Sequence, residues 1–372
     1  MVGDRAGERA GRRVVLHIGT MKSGTTYLQS VLGSNADAFA RAGVDVVAGR
    51  FAERRARPHH AARELHGTAP GRTEWRRLVE AVDRSSADTV VVSSEFFSFL
   101  GPAAIEEAVG DLARHELTVL LAVRDQVGAI PAQWQTYTRN RGGAPFSSYV
   151  RQVADPELQH RYAASSFRQA QDVAAMVERW DRPGVDRFVV TTVPPSRSAP
   201  EAIWRRFADA AGLPEMEPSF DRVAENESLG YAACDVLRRL NRHLSEMPLD
   251  DYRAMVRPLA RDVLAPMRSD QGRPRLDRAG VAFALERNRA VRELLTERST
   301  ALVGDLEDLT VERDLDGHPE EVAPPDRDQV RACARAVLDH AAKRAGEPVP
   351  LVAGIPQTIT AAADLLAAGR AG

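Results

Sequence analysis

Five short apolar runs, with helical patterns fitting between them, constrain this chain more than any other feature. They are "RRVVLHIG" (12–19), "AGVDVV" (42–47), "ADTVVVSSE" (87–95), "LTVLLAVRD" (117–125) and "VDRFVVTTVPP" (185–195). Most are continuous, not alternating, so each strand is buried on both faces. Helical spacing appears at Leu28, Val31 and Leu32 and again over 73–84, 102–114 and 165–180. Strands alternating with helices predict an α/β fold of three layers, α/β/α, around a central parallel sheet of about five strands. From about residue 200 the pattern turns largely helical, through "EAIWRRFADAAGL", "YAACDVLRRLNRHL" and "AFALERNRAVRELLTERS". The expected organisation is a disordered tail over 1–12 and one α/β domain over 13–315 with a helical lid from about 200. A linker and C-terminal helices over 316–372 pack on the same domain, "HPEEVAPPDRD" (318–328) being surface linker and the Ala-rich end two short helices. With 372 residues, 44% of them apolar, the chain has material for one large core.

Several function classes fall away. The net charge of −2 argues against wholesale binding of nucleic acid or an anionic membrane. Cys234 and Cys333 lie far apart with no ligand-spaced partner, which predicts neither a disulfide framework nor a zinc site. The charged start "MVGDRAGERAGRR" precedes an apolar run too short for a signal peptide, and no stretch reaches the roughly 18 apolar residues that span a bilayer. The expected setting is cytoplasmic.

The chemistry-bearing stretch is "HIGTMKSGTT" (17–26), set between the first strand and a helix. Unpaired amides at such a helix start, with the helix dipole, favour an anion. The ATPase loop reads G-x-x-x-x-G-K-[ST]. Here the frame is Gly19-Thr20-Met21-Lys22-Ser23-Gly24-Thr25-Thr26: the lysine stands before the second glycine, and threonine occupies the place of the usual lysine. Only Lys22 and Lys343 among 50 basic residues are lysines, so a lysine inside this loop is not a compositional accident. Ordinary ATP hydrolysis is therefore not expected.

The run "KSGTTYL" after a strand resembles the 5′-phosphosulfate loop of sulfotransferases that use 3′-phosphoadenosine 5′-phosphosulfate (PAPS). "VRDQVGAIPAQWQ" (123–135) is similar to that family's 3′-phosphate segment, and "NESLG" (226–230) to a loop of its bacterial members. The resemblance covers roughly residues 13–240 and implies a P-loop-like fold, PAPS as cofactor with PAP as product, and no required metal. It also implies that Lys22 contacts the oxygen bridging phosphate and sulfate, and that Ser23, Gly24, Thr25 and Thr26 cradle the 5′ end. Arg124 would anchor the 3′-phosphate. Where the family has a serine eight residues after that arginine, this chain has Ala132, so Gln133 is the candidate substitute.

Sulfuryl transfer asks the protein to hold reactants in line and to stabilise charge on the leaving phosphate, by analogy with phosphoryl transfer. Lys22, the loop amides and the hydroxyls of Ser23, Thr25 and Thr26 suit that task. Arg124 suits a phosphate dianion because its fork makes bidentate bonds. The acceptor hydroxyl needs a base. Glu95, at the carboxyl end of the third strand, is the candidate, and its apolar neighbours Phe96 and Phe97 are expected to raise its pKa. His17 is the runner-up, expected to face the core, and His59, His60 and His160 are not ranked. Rival structural roles are an ion pair between Arg124 and Asp125, a first-turn position for Glu95 capped by Ser94, and a core position for Trp134. Tyr137, Arg141 and Asn226 fit a cleft or a solvated helix face equally well. The expected function is transfer of a sulfuryl group from PAPS to a hydroxyl on a small molecule, sugar or lipid. Two alternatives are a phosphotransferase with an altered P-loop, using Asp125 for its metal, and a non-catalytic PAP/PAPS-binding relative, which Ala132 favours.

Overall fold

The computed structural model describes residues 11–47, 57–194, 200–221, 228–310 and 317–368. Residues 1–10 of the tail expected over 1–12, Asn226 and most of the arginine-rich stretch after residue 50 lie outside the described residues. All five expected strands form: β1 (Arg13–His17), β2 (Val44–Val47), β3 (Thr89–Ser93), β4 (Glu116–Val123) and β5 (Arg187–Thr192). A sixth, β6 (Ala301–Val303), joins them within a stretch the sequence pattern assigned to helix. The sheet is wholly parallel, in the order β2-β3-β1-β4-β5-β6.

Burial on both faces explains the continuous apolar runs. Val14 and Leu16 of β1 join one core together with Val90, Val92, Val119 and Leu121. Val15, between them, faces the other core with Val91, Leu120 and Val189. Alternate residues of one strand thus feed two cores. Trp75, Leu78, Met176 and Trp180 from helices Thr73–Arg84 and Val173–Trp180 close the first. Leu28, Phe39, Trp204 and Phe207 from helices Thr25–Ser34, Ala36–Arg41 and Pro200–Ala210 close the second. The expected helix 165–180 is two helices, Tyr162–Gln171 and Val173–Trp180, because the Asp172 carboxylate accepts from the Ala175 amide and caps a new start.

The chain forms two compact units that interleave in sequence. The first comprises Met1–Gln126, Arg168–Asn226 and Leu285–Glu312 and holds the sheet. The second comprises Val127–Phe167, Glu227–Ala284 and Arg313–Gly372. In the second, helices Tyr231–His243, Arg327–Ala345 and Ile355–Ala368 pack together, with Leu237, Leu240, Val337 and Leu338 fully buried. The two C-terminal helices are 19 and 14 residues long, longer than the two short helices expected there. Trp134 is a core residue of this unit, against Phe146 and Tyr231, with its indole N–H on the Ala144 carbonyl. Tyr137 is buried between Tyr149 and Tyr162, and the Arg141 guanidinium lies 4.7 Å from the centre of the Tyr252 ring. Neither residue is a solvated helix face.

Candidate functional site

In this strand order the chain leaves β1 for β2 on one side and leaves β4 for β5 on the other. The crevice where ligands gather in open α/β sheets therefore lies outside the carboxyl ends of β1 and β4. The glycine loop follows β1 and Arg124 follows β4. Backbone pairing with β4 continues beyond the strand proper: the Ile18 and Thr20 amides donate to the Leu120 and Ala122 carbonyls at 3.0 and 2.8 Å.

Three loop residues adopt left-handed backbone: Gly19 (φ 107°), Lys22 (φ 65°) and Gly24 (φ 88°). Gly19 has a second reason to be glycine, since a Cβ there would sit 3.1 Å from the Cβ of Glu95 and 3.2 Å from its Cα. Lys22 has no such freedom, and a non-glycine residue in this region costs about 1–2 kcal/mol. Its peptide is held from two sides. Arg124 Nη1 donates to the Lys22 carbonyl at 3.0 Å, and Gln171 Nε2 donates to the Met21 carbonyl at 2.6 Å. Gln171 is itself buried, and its own carbonyl accepts from Arg287.

The three hydroxyl residues of the loop divide by exposure. Ser23 is fully buried and donates its hydroxyl to the Thr20 carbonyl at 2.7 Å, so it braces the loop. Thr25 is buried and Thr26 exposed, on the first turn of helix Thr25–Ser34, which no side chain caps. Tyr27 follows, its ring stacked on Phe220 with centroids 6.4 Å apart and planes 7° from parallel. Burial and the nearby Glu201 push its hydroxyl up to about 12.

Glu95 stands half-buried where β3 ends. Gln29 Nε2, from the helix after the loop, donates to Glu95 Oε2 at 3.2 Å and approaches Ser93 Oγ at 3.4 Å. Ser93 Oγ in turn lies 2.8 Å from His17 Nδ1. His17 is fully buried, edge-on to Phe207, and desolvation lowers its pKa to about 3. At neutral pH it carries no charge and reaches nothing outside the core. Its Nε2 is a buried polar atom without a hydrogen bond. Ser94 does cap the following turn, accepting from the Phe96 amide at 3.3 Å, with Glu95 in the first turn. Phe97 is buried in the first core, whereas Phe96 is only partly covered.

Asp125 is buried, and its Oδ1 accepts from Asn288 Nδ2 at 2.7 Å, while Asn288 Oδ1 accepts from the Gln126 amide at 2.9 Å. Asn288 thus clasps the turn that presents Arg124. Gln133 and Ala132 lie on the helix Gln126–Arg139, in the part that belongs to the second unit; Gln133 is buried and Ala132 half-buried. Of the unranked histidines, half-buried His59 sets Nδ1 2.6 Å from Ser94 Oγ. The others are exposed: His60, whose pKa burial and the neighbouring Arg57 and Arg63 lower, and His160.

Lys22, Ser23, Gly24, Thr25, Thr26, Glu95 and Arg124 are therefore brought to one end of one sheet. Sequence reasoning missed Gln29, Ser93, Gln171 and Asn288. All four are polar residues in or beside helical and strand patterns, which read as solvated until the fold buries them. An open depression of about 570 Å³ also exists at the opposite end of the strands, lined by Arg12, Arg13, Asp88 and Glu116. No family model matches the chain, and neither the curated proteins nor the solved structures compared with it gave a match.

Proposed function

We propose that this protein is a PAPS-dependent sulfotransferase that moves a sulfuryl group to an acceptor hydroxyl by direct in-line transfer. The observation that carries the reading is convergence: Glu95 abuts Gly19 of the loop, and Arg124 holds the carbonyl of Lys22, though the three segments are far apart in sequence. Lys22 and the first amides of helix Thr25–Ser34 hold the leaving phosphate, and Arg124 takes the 3′-phosphate. Glu95 removes the acceptor proton through Oε1, since Oε2 is engaged by Gln29. As the new oxygen–sulfur bond forms, the bond from sulfur to the bridging oxygen breaks. That oxygen leaves on PAP, and the proton remains on Glu95 until solvent removes it. Nothing in this scheme calls for a metal. The loop cation acts where charge develops, an effect worth about 3–4 kcal/mol for one well-placed donor.

Titrating PAP, PAPS and ATP separately, with and without Mg²⁺, tests the nucleotide. Tight Mg²⁺-independent PAP binding with weak ATP binding is expected, and the reverse pattern would support the phosphotransferase reading. The Asn288 clasp on Asp125 weighs against that reading, because the carboxylate is already committed inside the protein. Sulfate release from PAPS by the parent protein and by Glu95→Gln distinguishes an enzyme from a binding relative.

A further inference from the structure

The glycine loop and the turn that carries Arg124 are joined by more than the bond from Arg124 to the Lys22 carbonyl. The further links run through Gln171. This residue ends helix Tyr162–Gln171, where carbonyls lack helical partners, and its own accepts from Arg287 Nη2 at 3.2 Å. Its side chain is buried, with Nε2 on the Met21 carbonyl at 2.6 Å. The oxygen of the same amide, Oε1, accepts from Gln126 Nε2 at 3.4 Å, and Gln126 Nε2 also donates to the Arg124 carbonyl at 3.3 Å. Gln126 is buried as well, its backbone amide held by Asn288 Oδ1 at 2.9 Å. With Arg124 Nη1 on the Lys22 carbonyl, these contacts close a ring: from Lys22 to Arg124, Gln126, Gln171 and Met21, then along the chain back to Lys22.

The direction of each bond in the ring is fixed. Turned over, the Gln171 amide would set its oxygen against the Met21 carbonyl, and the Gln126 amide would set its own against the Arg124 carbonyl. Two buried amides in series polarise one another, and a buried polar group that loses its partner is costly. All members of the ring belong to the first unit. We infer that Gln171 is a positioning residue that couples the two ends of the nucleotide site. A 3′-phosphate drawn to Arg124 fixes, through this ring, the peptide that sets Lys22 at the bridging oxygen. The 3′-phosphate then contributes to the rate of sulfuryl transfer and not to binding alone. The inference rests on the sulfotransferase reading, because it describes coupling within the same site.

The test uses the full chain and compares PAPS with adenosine 5′-phosphosulfate, which lacks the 3′-phosphate, as sulfuryl donors to water. Sulfate is released, and PAP or adenosine 5′-phosphate remains. In the parent, omitting the 3′-phosphate is expected to lower kcat about tenfold, within the range for coupling between two sites, besides raising KM. Gln171→Met, close in volume but without the amide, lowers kcat with PAPS by a similar factor and brings kcat for the two donors nearly together. Gln126→Met leaves the bond from Gln171 to Met21 in place and narrows the same difference. A Gln171 that only stiffened the protein would depress both donors alike. An unchanged ratio of the two kcat values in Gln171→Met, or no kcat difference in the parent, therefore overturns the inference. Hydrogen exchange in the parent gives a readout that needs neither a variant nor turnover. Adenosine 3′-phosphate at saturation should slow exchange of the Lys22, Ser23 and Gly24 amides although it cannot fill the 5′ end, and unaltered exchange there overturns the inference too. PAP binding with either of those negative results sinks this inference alone. Failure of PAP to bind sinks the nucleotide reading, and this one with it.

Discussion

The two ends of the sheet both hold arginines that donate to main-chain carbonyls, yet the segments they hold differ. At the amino ends, Arg12 donates to the carbonyls of Ala87, Val82 and Asp83, and Arg13 to Thr89 Oγ1 and the Gly212 carbonyl. Four of these five acceptors are main-chain carbonyls at the strand and helix ends, so the amino end is a staple. At the carboxyl ends the same kind of bond serves a loop: Arg124 and Gln171 grip the Lys22 and Met21 carbonyls of the glycine loop. Cations near a depression do not by themselves make an anion site. What distinguishes the carboxyl end is a left-handed lysine whose flanking carbonyls are held by buried Gln171 and half-buried Arg124.

The largest expected effect concerns the polar seam under Glu95. The His17 pKa is lowered from 6.5 to about 3, so the unfolded chain binds a proton that the folded one refuses. Stability contributed by neutral His17 is present above pH 6.5 and is lost as pH falls from 6.5 towards 3, by on the order of 5 kcal/mol in all. Urea midpoints measured across that window should fall steeply for the parent and less so for His17→Met. An equal slope in both would place the acid sensitivity elsewhere.

Next in size is Lys22→Ala. A loss of roughly 10²–10³ in kcat is expected with the thermal midpoint nearly unchanged, because one donor at the leaving oxygen is removed. Paired arginine variants then test the contrast between the two ends directly. Arg12→Ala should cost about 1–3 kcal/mol of unfolding free energy without affecting PAP affinity. Arg124→Ala should weaken PAP binding roughly 10–100-fold, the range for hydrogen bonds to a charged group, with a smaller stability loss. If calorimetry finds Arg12→Ala the weaker PAP binder, the two ends have been assigned the wrong way round. The smallest expected effect is that of Gln29→Leu, which frees the carboxylate it now holds at 3.2 Å. A fall in kcat of about fivefold, with the KM for PAPS unchanged, corresponds to one neutral donor of roughly 1 kcal/mol.

Much of this arrangement is legible in the residues alone. The continuous runs around Val14–Leu16, Val90–Val92 and Val119–Val123 declare parallel strands because only a strand covered on both faces can hide such runs. Gly19 and Gly24 mark the loop because the fold needs positive φ there, and helix Thr73–Arg84 follows its spacing to the residue. The strand β6 was not legible: Ala301–Val303 is three residues long, too short for any period to register, and it exists because β5 offers an edge. The division into interleaved units was equally invisible, since it depends on which helices meet and not on local pattern.

By itself, then, the sequence determined a parallel α/β sheet, a glycine loop with an internal lysine, and a carboxylate at the neighbouring strand end. Those follow from periodicity, glycine conformation and strand polarity, all of which are local. Tertiary structure alone decided that Gln29, Ser93 and His17 would form one buried seam under Glu95, that Gln171 and Arg124 would hold the loop, and that His59 Nδ1 would meet Ser94 Oγ. Each of those depends on desolvation and on distances between segments far apart in the chain, and a linear string of residue types carries neither.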